Sequence, residues 1–439
     1  MNKKKLDIFI ESINLLDKNH RITDESYYTI PSNNLYPHQW SWDSGWIIYG
    51  YCALNKIDRA EKEMLSLFKY QWKNGLIPSI IFHDLQYNTY WPSPDVWDLK
   101  NKAKHLTENI NCTGIVQPPL HADACLAIFK KGIDKVEGKI FLKKIYDKLL
   151  LWHKYLYQER DIYDEGIVFI RHPWESGMDN SPIWDVPLNR INITEYKYSS
   201  CRTDNKKVNS EERPTDLTYE KYIQLIDLFK QCNYNEKEIA KKSEFVVQDV
   251  LFNVLLQKSN YALLEISKIL EKKEDFKLIN SWINKTKNGI ENKFYHQGFY
   301  YDVDLKTKKP ILTKTITGLS AIYFSNKTEE IINILKKEFL VLEENNYCIS
   351  SLSRKDQRFD SINYWRGPMW TNLTWMIING LEKNNQLDLA NKIKSNCINN
   401  IEALGFYEYF DSVDNFGCGD NNFSWTASVY ICLFLNFKF

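Results

Sequence analysis

The sequence has no excess of charge of either sign. Its 439 residues carry 57 lysines and arginines against 56 aspartates and glutamates, which gives a formal net charge of +1. A strongly basic face is the electrostatic signature of proteins that bind nucleic acid or anionic membranes. The balanced charge therefore argues against both kinds of partner.

Long apolar runs are also missing. No stretch reaches the roughly 18 uninterrupted apolar residues that a membrane helix needs, and the most apolar one, residues 429–437, is too short. The first residues are lysines followed by apolar residues at helical spacing, without the apolar run and cleavage site of a secretory signal. We expect a soluble, cytoplasmic protein.

Paired cysteines and the common catalytic motifs are absent. The nine cysteines include no C-x-x-C pair, a pattern typical of reduced thiols in a cytosol. There is no phosphate loop, no dinucleotide fingerprint, no H-E-x-x-H motif and no G-x-S-x-G motif. The eight histidines are scattered, so His38, His121 and His172 are interpreted as structural or hydroxyl-binding residues rather than metal ligands.

Helical periodicity is what the sequence has in abundance. Apolar residues recur at helical spacing in many segments, and these predict an all-α chain of about a dozen helices paired into a closed ring. Strand-like alternation is confined to short pieces, residues 166–170 and 298–303, which predict hairpins and argue against an α/β barrel. The clearest helical segments are residues 59–70, 122–131, 139–157, 219–230, 244–257, 262–272, 274–288, 328–340, 370–381, 386–397 and 424–437.

We predict a single domain spanning residues 1–439, with its site in loops at one end of the ring. The loops rich in aromatic, Pro and Gly residues are 35–46, 75–97, 113–119, 162–213, 364–370 and 405–425. The polar stretch 196–213 could be a domain linker, but motif-like sequence brackets it. Residues 160–215 are therefore interpreted as a lid or loop region over the site.

Residues 36–46 (YPHQWSWDSGW) place indole rings and a phenol around one carboxylate. Aromatic rings can cover the C–H face of a pyranose, and a carboxylate accepts hydrogen bonds from adjacent hydroxyls. The segment predicts a sugar site containing Tyr36, Trp40, Trp42 and Asp43. The alternative is that Asp43 caps the following helix and the tryptophans belong to the core.

Two further segments each supply a candidate catalytic carboxyl group. Residues 172–180 (HPWESGMDN) carry Glu175 and Asp179 around Gly177 in a loop, where a raised pKa and a general-acid role are plausible. Residues 405–412 (GFYEYFDS) carry Glu408 among aromatic residues. If Glu408 faces Asp179, the pair has the acid and base roles of glycoside hydrolysis, with room for a water. The alternatives are a solvated, helix-capping turn for Asp179 and a surface ion pair for Glu408.

Two motifs lie next to predicted helices. Residues 364–370 (YWRGPMW) supply a candidate sugar platform, and residues 213–219 (RPTDLTY) supply an arginine that could clamp a carboxylate. A surface salt bridge is the commoner role of an arginine.

Together, these five segments resemble glycoside hydrolase family 63, in particular its branch of mannosylglycerate and glucosylglycerate hydrolases. The likeness spans residues 36–425. It implies an (α/α)6 barrel, inversion at the anomeric carbon, and no metal or organic cofactor. The partner that it implies is a small-molecule glycoside, with a homo-oligomer left open.

The resemblance also implies roles for individual residues. It makes Asp179 the general acid and Glu408 the general base, and Arg213 and Tyr219 resemble a pair that contacts the glycerate carboxylate. Gln117 looks like the family's sugar-binding glutamine. The full set of expected substrate-binding residues is Tyr36, Trp40, Trp42, Asp43, Tyr90, Gln117, Glu175, Gly177, Arg213, Tyr219, Tyr364, Trp365, Arg366 and Trp370.

The expected activity is inverting hydrolysis of an α-linked glucosyl or mannosyl unit, with glucosylglycerate or mannosylglycerate as substrate. Two alternatives stay open. One is an α-glucosidase or trehalase-like hydrolase of neutral oligosaccharides, and the other is a non-catalytic sugar-binding protein. A sugar 2-epimerase would need paired histidines as acid and base, whereas the motif positions carry carboxylates.

Overall fold

Helices dominate the computed structural model, which describes residues 3–83, 90–108, 110–340 and 346–438. Part of the predicted loop 75–97 lies outside the described residues. The α-helices are α1 (Lys3–Asn19), α2 (Ser41–Ala53), α3 (Ile57–Lys69), α4 (Pro94–Trp97), α5 (Leu99–Lys102), α6 (His121–Lys131), α7 (Lys135–Glu159), α8 (Asp185–Asn189), α9 (Asp216–Gln231), α10 (Glu236–Lys242), α11 (Val250–Ile269), α12 (Phe276–Gly289), α13 (Ile316–Ser320), α14 (Thr328–Ile334), α15 (Thr371–Lys383), α16 (Leu387–Leu404) and α17 (Ser424–Phe434).

Six helices form a closed inner ring. Helix α2 packs on α6, α6 on α11, α11 on α13, α13 on α15, α15 on α17, and α17 returns to α2. In α2 every residue from Ser41 to Cys52 is buried. A helix buried all round carries no amphipathic signal. Its first turn also carries Ser41, Asp43, Ser44 and Gly45, residues typical of turns, so the sequence predicts a loop over residues 35–46, which is wrong from Ser41 onward.

Six outer helices surround this ring. Helix α1 packs on α17, α3 on α2, α7 on α6, α12 on α11, α14 on α13 and α16 on α15. The outer helices have the one-sided pattern that the sequence shows: α3 buries Ala60, Met64, Leu67 and Phe68 toward the ring and exposes Lys69. The two layers confirm the predicted all-α (α/α)6 barrel.

The connections differ greatly between the two ends of the ring. From an inner helix to the next outer helix the chain uses few residues, as at 54–56, 132–134 and 384–386. From an outer helix to the next inner helix it uses many, namely residues 20–40, 70–120, 160–249, 290–315, 335–370 and 405–423. The long connections meet at the end where the inner helices begin, so their side chains can surround one shared space.

Short antiparallel strands occur within these long connections. Within residues 298–303, Phe299, Tyr300 and Val303 belong to strands, whereas residues 166–170 form no strand, and Ile170 makes only an isolated bridge to Val247. The pairs are β1 (His20–Ile22) with β2 (Tyr27–Thr29), β3 (Gln39–Trp40) with β4 (Ile80–Ile81), β5 (Val247–Gln248) with β8 (Val303–Asp304) and β8 with β9 (Lys309–Pro310), β6 (Tyr295–His296) with β7 (Phe299–Tyr300), and β10 (Tyr409–Phe410) with β11 (Gly417–Cys418).

The inner helix α11 differs from its predicted bounds. The predicted segments 244–257 and 262–272 form the single helix α11, which begins only at Val250 because Val247 and Gln248 pair with β8. Residues 160–215 connect α7 to α9 through short helical turns and α8. Their role as a lid stays a prediction, as does the single-domain organisation.

The structure also describes the cysteines and the groups that could bind a metal ion. Eight of the nine cysteines are buried and unpaired, and the ninth, Cys201, is exposed and also unpaired. Within the described ranges, no cluster of three or more His, Cys, Asp or Glu side chains could hold a metal ion. No helix in that part of the chain has the length and apolar character to cross a membrane. The cellular compartment stays a prediction.

Candidate active site

A cavity lies at the end of the ring where the long connections meet. It measures about 940 Å³, including its opening to solvent. Both predicted catalytic residues line it, together with most of the predicted contact residues. The predicted residues that line the cavity are Asp179, Glu408, Tyr36, Trp40, Trp42, Asp43, Tyr90, Gln117, Gly177, Arg213, Tyr219 and Tyr364.

Glu408 is buried in the cavity wall just before β10. Its Oε1 accepts hydrogen bonds from the hydroxyls of Tyr36 at 2.9 Å and Tyr364 at 3.3 Å, and its Oε2 accepts one from the Asp420 N–H at 3.4 Å. Burial raises the pKa of Glu408 to about 7, while the charge of Arg213 and the Tyr36 hydrogen bond act in the opposite direction. Such a carboxylate can accept a proton from water near neutral pH.

Asp179 follows a tight turn that begins with the short helix Pro173–Ser176. Gly177 in this turn has φ +73°, and a Cβ there would lie 2.6 Å from the Trp42 ring, so only glycine fits. Asp179 is partly exposed, and it faces the cavity. The surrounding protein atoms exclude water from the Asp179 carboxyl group inside the cavity and raise its pKa to about 7, with the charge of Arg213 opposing the rise. Much of Asp179 is therefore protonated at neutral pH, as a general acid requires.

Asp43 and Gln117 are the polar groups near Trp42. Asp43 lies in the first turn of α2, where Trp40 occupies the N-cap position, and burial and the charge of Glu408 raise its pKa well above the usual value. The backbone N–H of Trp42 donates to Gln117 Oε1 at 3.2 Å. Polar groups beside an indole ring are the usual partners of sugar hydroxyls.

Arg213 joins residues 160–215 to the part of the cavity wall that contains Tyr36 and Tyr364. Its Nη1 donates to the Tyr36 hydroxyl at 3.1 Å, its Nε donates to Asp204 Oδ2 at 3.1 Å, and its guanidinium carbon lies 4.2 Å from the centre of the Tyr364 ring. Asp204 also accepts a hydrogen bond from Arg202 at 2.9 Å. Burial disfavours ionised Asp204, but the two arginines outweigh it and lower the pKa of Asp204 to about 2.

Several cavity residues were missed by the sequence analysis. Asp204 lies in a polar stretch with no recognisable pattern, so no feature of the sequence indicates that it lies at the site. Trp174 lies inside the motif of residues 172–180 and Trp425 ends the predicted loop 405–425, so this proximity is the available signal. The unpredicted residues of the lining that carry aromatic rings or charge are Trp91, Trp97, Trp174, Asp204, Phe423 and Trp425.

Four predicted contact residues do not line the cavity: Glu175, Trp365, Arg366 and Trp370. Trp365 and Trp370 are buried and stack on each other, with ring centroids 3.6 Å apart and an interplanar angle of 4°. Arg366 forms an ion pair with Asp185 and lines a separate surface groove. An aromatic motif therefore marks the region of the site without showing which rings face it.

Glu175 lies behind the cavity in a buried ion-pair network. Arg160 donates from both terminal nitrogens to its two oxygens, at 2.8 and 2.9 Å. The same oxygens accept from the backbone N–H groups of Val116 at 3.2 Å and Arg171 at 2.7 Å. Burial opposes its ionisation, but the arginines lower the pKa of Glu175. Glu175 thus ties the segment before Gln117 to the loop that carries the candidate general acid.

Comparison with known proteins identifies the family. Residues 36–426 match the model of the mannosylglycerate hydrolase MGH1-like glycoside hydrolase domain. The chain is 36% identical to the mannosylglycerate hydrolase of Rubrobacter radiotolerans, with 92% of each chain covered. It is 28% identical to the glucosylglycerate hydrolase of Mycolicibacterium hassiacum, covering 90% of this chain and 92% of that relative.

The fold agrees with this match. The chain is similar to the crystal structure of the GH63 mannosylglycerate hydrolase from Thermus thermophilus in complex with Tris and D-glycerate. The TM-score is 0.87 and the identity is 33%, over 97% of this chain and 99% of that one. The chain therefore belongs to the mannosylglycerate hydrolase MGH1-like glycoside hydrolases of family 63.

Proposed function

We propose that this glycoside hydrolase cleaves the α-glycosidic bond of a hexosylglycerate, glucosylglycerate or mannosylglycerate, with inversion at the anomeric carbon. One observation carries the proposal: Asp179 and Glu408 line the same cavity, together with sugar-binding groups and Arg213. The names of the relatives, mannosylglycerate hydrolase and glucosylglycerate hydrolase, support this choice of substrates.

In the proposed reaction, Glu408 is the general base and Asp179 the general acid. Water attacks C1 of the hexose while Glu408 takes its proton, the bond from C1 to the glycosidic oxygen breaks, and Asp179 protonates that departing oxygen. The products are the hexose with inverted configuration and glycerate. This chemistry needs one water and two carboxyl groups and calls for no cofactor.

The surrounding side chains suit the two halves of such a substrate. Asp43 offers a carboxyl group and Gln117 an amide group to sugar hydroxyls beside the Trp42 ring. Arg213 and Tyr219 also line the cavity, and a guanidinium together with a phenol can bind the carboxylate of glycerate. A cavity with a buried arginine favours an acidic aglycone over a neutral one.

The substrate is tested by incubating the protein with glucosylglycerate, mannosylglycerate, trehalose and kojibiose and measuring released sugar. We expect cleavage of at least one hexosylglycerate, with the β-anomer appearing first by NMR. A first-formed α-anomer would contradict inversion. Cleavage of only the neutral disaccharides would favour an α-glucosidase or trehalase-like enzyme, and calorimetric binding without turnover would favour a sugar-binding protein.

The two catalytic roles are tested by Asp179→Asn and Glu408→Gln. Each variant should fold and lose about 10²-fold or more in kcat, since positioned acids and bases contribute on that scale. Asp185→Asn is the matched control, because Asp185 forms ion pairs with Arg358 and Arg366 outside the cavity. Near-full activity of either catalytic variant would refute its assignment.

A further inference from the structure

Arg213 lies close to the candidate base. One donated hydrogen bond joins its Nη1 to the Tyr36 hydroxyl at 3.1 Å, and a second joins that hydroxyl to Glu408 Oε1 at 2.9 Å. The Tyr36 and Tyr364 hydroxyls are 3.0 Å apart, so Tyr364 completes the group. Arg213 is therefore one hydroxyl away from the carboxylate.

This position does not follow from a role in binding the aglycone. In an inverting displacement the base and its water are on the face of the sugar opposite the departing group. The glycerate leaves on the side of the acid, Asp179. A guanidinium bonded through Tyr36 to Glu408 is placed to influence the attack by water as well.

The direction of the hydrogen bonds is fixed by chemistry. An arginine side chain can only donate, and an ionised carboxylate can only accept. The Tyr36 oxygen must accept from Arg213, and its single proton is then free to point at Glu408. Without Arg213, the Tyr36 hydroxyl could rotate and donate elsewhere.

The guanidinium is also held firmly in place. Arg213 is buried, its Nε donates to Asp204, and it lies over the Tyr364 ring at 4.2 Å. The positive charge of Arg213 lowers the pKa of Glu408 against the effect of burial and so favours the ionised base.

We infer that Arg213 is a positioning residue for the general base, acting through Tyr36 to orient the Glu408 carboxylate toward the attacking water. The inference rests on the proposed function and adds to it. If Arg213 only bound the glycerate carboxylate, replacing it would not change the rate of hydrolysis of a substrate that has no acidic aglycone.

The test uses α-glucosyl fluoride and α-mannosyl fluoride, which have no glycerate. Water attacks C1, the C1–F bond breaks, fluoride leaves with the bonding pair, and Glu408 takes the water proton. Fluoride needs little help from an acid, so Asp179→Asn should retain more activity on the fluorides than on a hexosylglycerate. Arg213→Gln should lower kcat on the fluoride about tenfold or more, within the range of general-base catalysis, with a smaller change in KM.

Further variants separate positioning from folding. Arg213→Lys, which keeps the charge and a donor, should recover part of the lost rate. Tyr36→Phe should resemble Arg213→Gln, and the double variant should be no slower than the slower single variant. Arg190→Gln is the control, since Arg190 also lies in residues 160–215 but pairs with Asp304 outside the cavity. Thermal unfolding checks that each protein is folded.

Arg213→Gln with wild-type kcat on a fluoride that the wild type hydrolyses would overturn this inference alone. Multiplicative losses in the double variant would also overturn it, because they would mean that the two residues act independently. If the wild type hydrolysed neither a hexosylglycerate nor a glycosyl fluoride, the proposed function and this inference would both be overturned.

Discussion

Asp179 and Glu408 have pKa values near 7 for the same reason, which is burial. Their hydrogen bonds differ: Glu408 accepts from Tyr36 and Tyr364, and such bonds favour an ionised carboxylate. The charge of Arg213 also opposes the rise in the pKa of Asp179. The Tyr222 hydroxyl, however, donates to the backbone carbonyl of Asp179 and not to its carboxylate. The residue that is better supplied with donors is the one proposed as the base.

The pH dependence of kcat/KM should be bell-shaped, with its maximum near pH 7. Glu408 must be ionised, so activity falls as the pH drops below its pKa of about 7. Asp179 must be protonated, so activity falls as the pH rises above its pKa of about 7. The measurement is kcat/KM on a hexosylglycerate in buffers of constant ionic strength. A flat profile between about pH 5 and 9 would contradict both assignments.

Asp179→Asn should also stabilise the protein in alkaline solution. The pKa of Asp179 is raised from 3.8 to about 7 in the folded state, so the wild type loses stability as the pH rises from about 4 to 7, and the amide does not. The upper limit is on the order of 4 kcal/mol, at roughly 1.4 kcal/mol per pKa unit. Thermal unfolding should show a higher Tm for the variant at pH 8 and nearly equal values at pH 4.

The matched comparison is again Asp185→Asn, which removes a carboxylate that is paired with arginines at the surface. It should give no gain in Tm at pH 8. Equal Tm values for Asp179→Asn and the wild type at pH 8 would contradict the raised pKa of Asp179.

At the scale of elements, the contact of α2 with α17 closes the ring, and a glycine allows it. A Cβ on Gly50 would lie 2.0 Å from Ser428 Oγ and 2.9 Å from its Cα. Gly50→Ala should therefore lower the free energy of unfolding by about 1–3 kcal/mol, the usual cost of overpacking. Urea denaturation measures it.

Ser428→Gly in the Gly50→Ala background should restore part of that loss, because it removes the atom in closest contact. Gly132→Ala is the control, since its nearest neighbour would be at 3.4 Å, an ordinary contact. Equal midpoints for Gly50→Ala and Gly132→Ala would contradict the packing argument.

The outer helices could be predicted from the sequence because each keeps a solvated face, as α3 and α16 do. The inner helix α2 could not, because burial on all sides removes its period and turn-forming residues such as Asp43 and Gly45 occupy its start. The ends of α11 were missed for another reason. Its first predicted residues belong to β5, whose partner β8 lies about 55 residues further along the chain.

At the scale of the whole molecule, much of the candidate site was predictable because the motifs combine carboxylates with aromatic rings. Sequence cannot show which way a side chain points. Trp365 and Trp370 look like sugar platforms, yet they stack on each other in the core. Asp204 has no aromatic neighbour in sequence, and only the folded chain brings it to Arg213.

Recovery of activity should lag behind recovery of helix during refolding. Asp179 and Glu408 are about 230 residues apart, and the ring closes through contacts of α17 with α2, which lies near the start of the chain. Contacts of long sequence separation form slowly, whereas helices form from local ones. After dilution from denaturant, far-UV circular dichroism should recover first and hydrolysis later. A native sample in the same final buffer shows the full rate, and identical time courses for the two signals would contradict sequential closure.

The two ends of the ring have different roles, because the long connections at one end line the cavity and the short linkers at the other end only join helices. Tyr36, Gln117, Asp179, Tyr364 and Glu408 all lie on connections from an outer to an inner helix, while linkers such as 54–56 and 384–386 contribute nothing to the cavity. Substitutions in the long connections can therefore change much of the cavity lining while the short linkers stay unaltered. For directed evolution, libraries belong in those segments, and the opposite end is the one to use for immobilising the enzyme on a support.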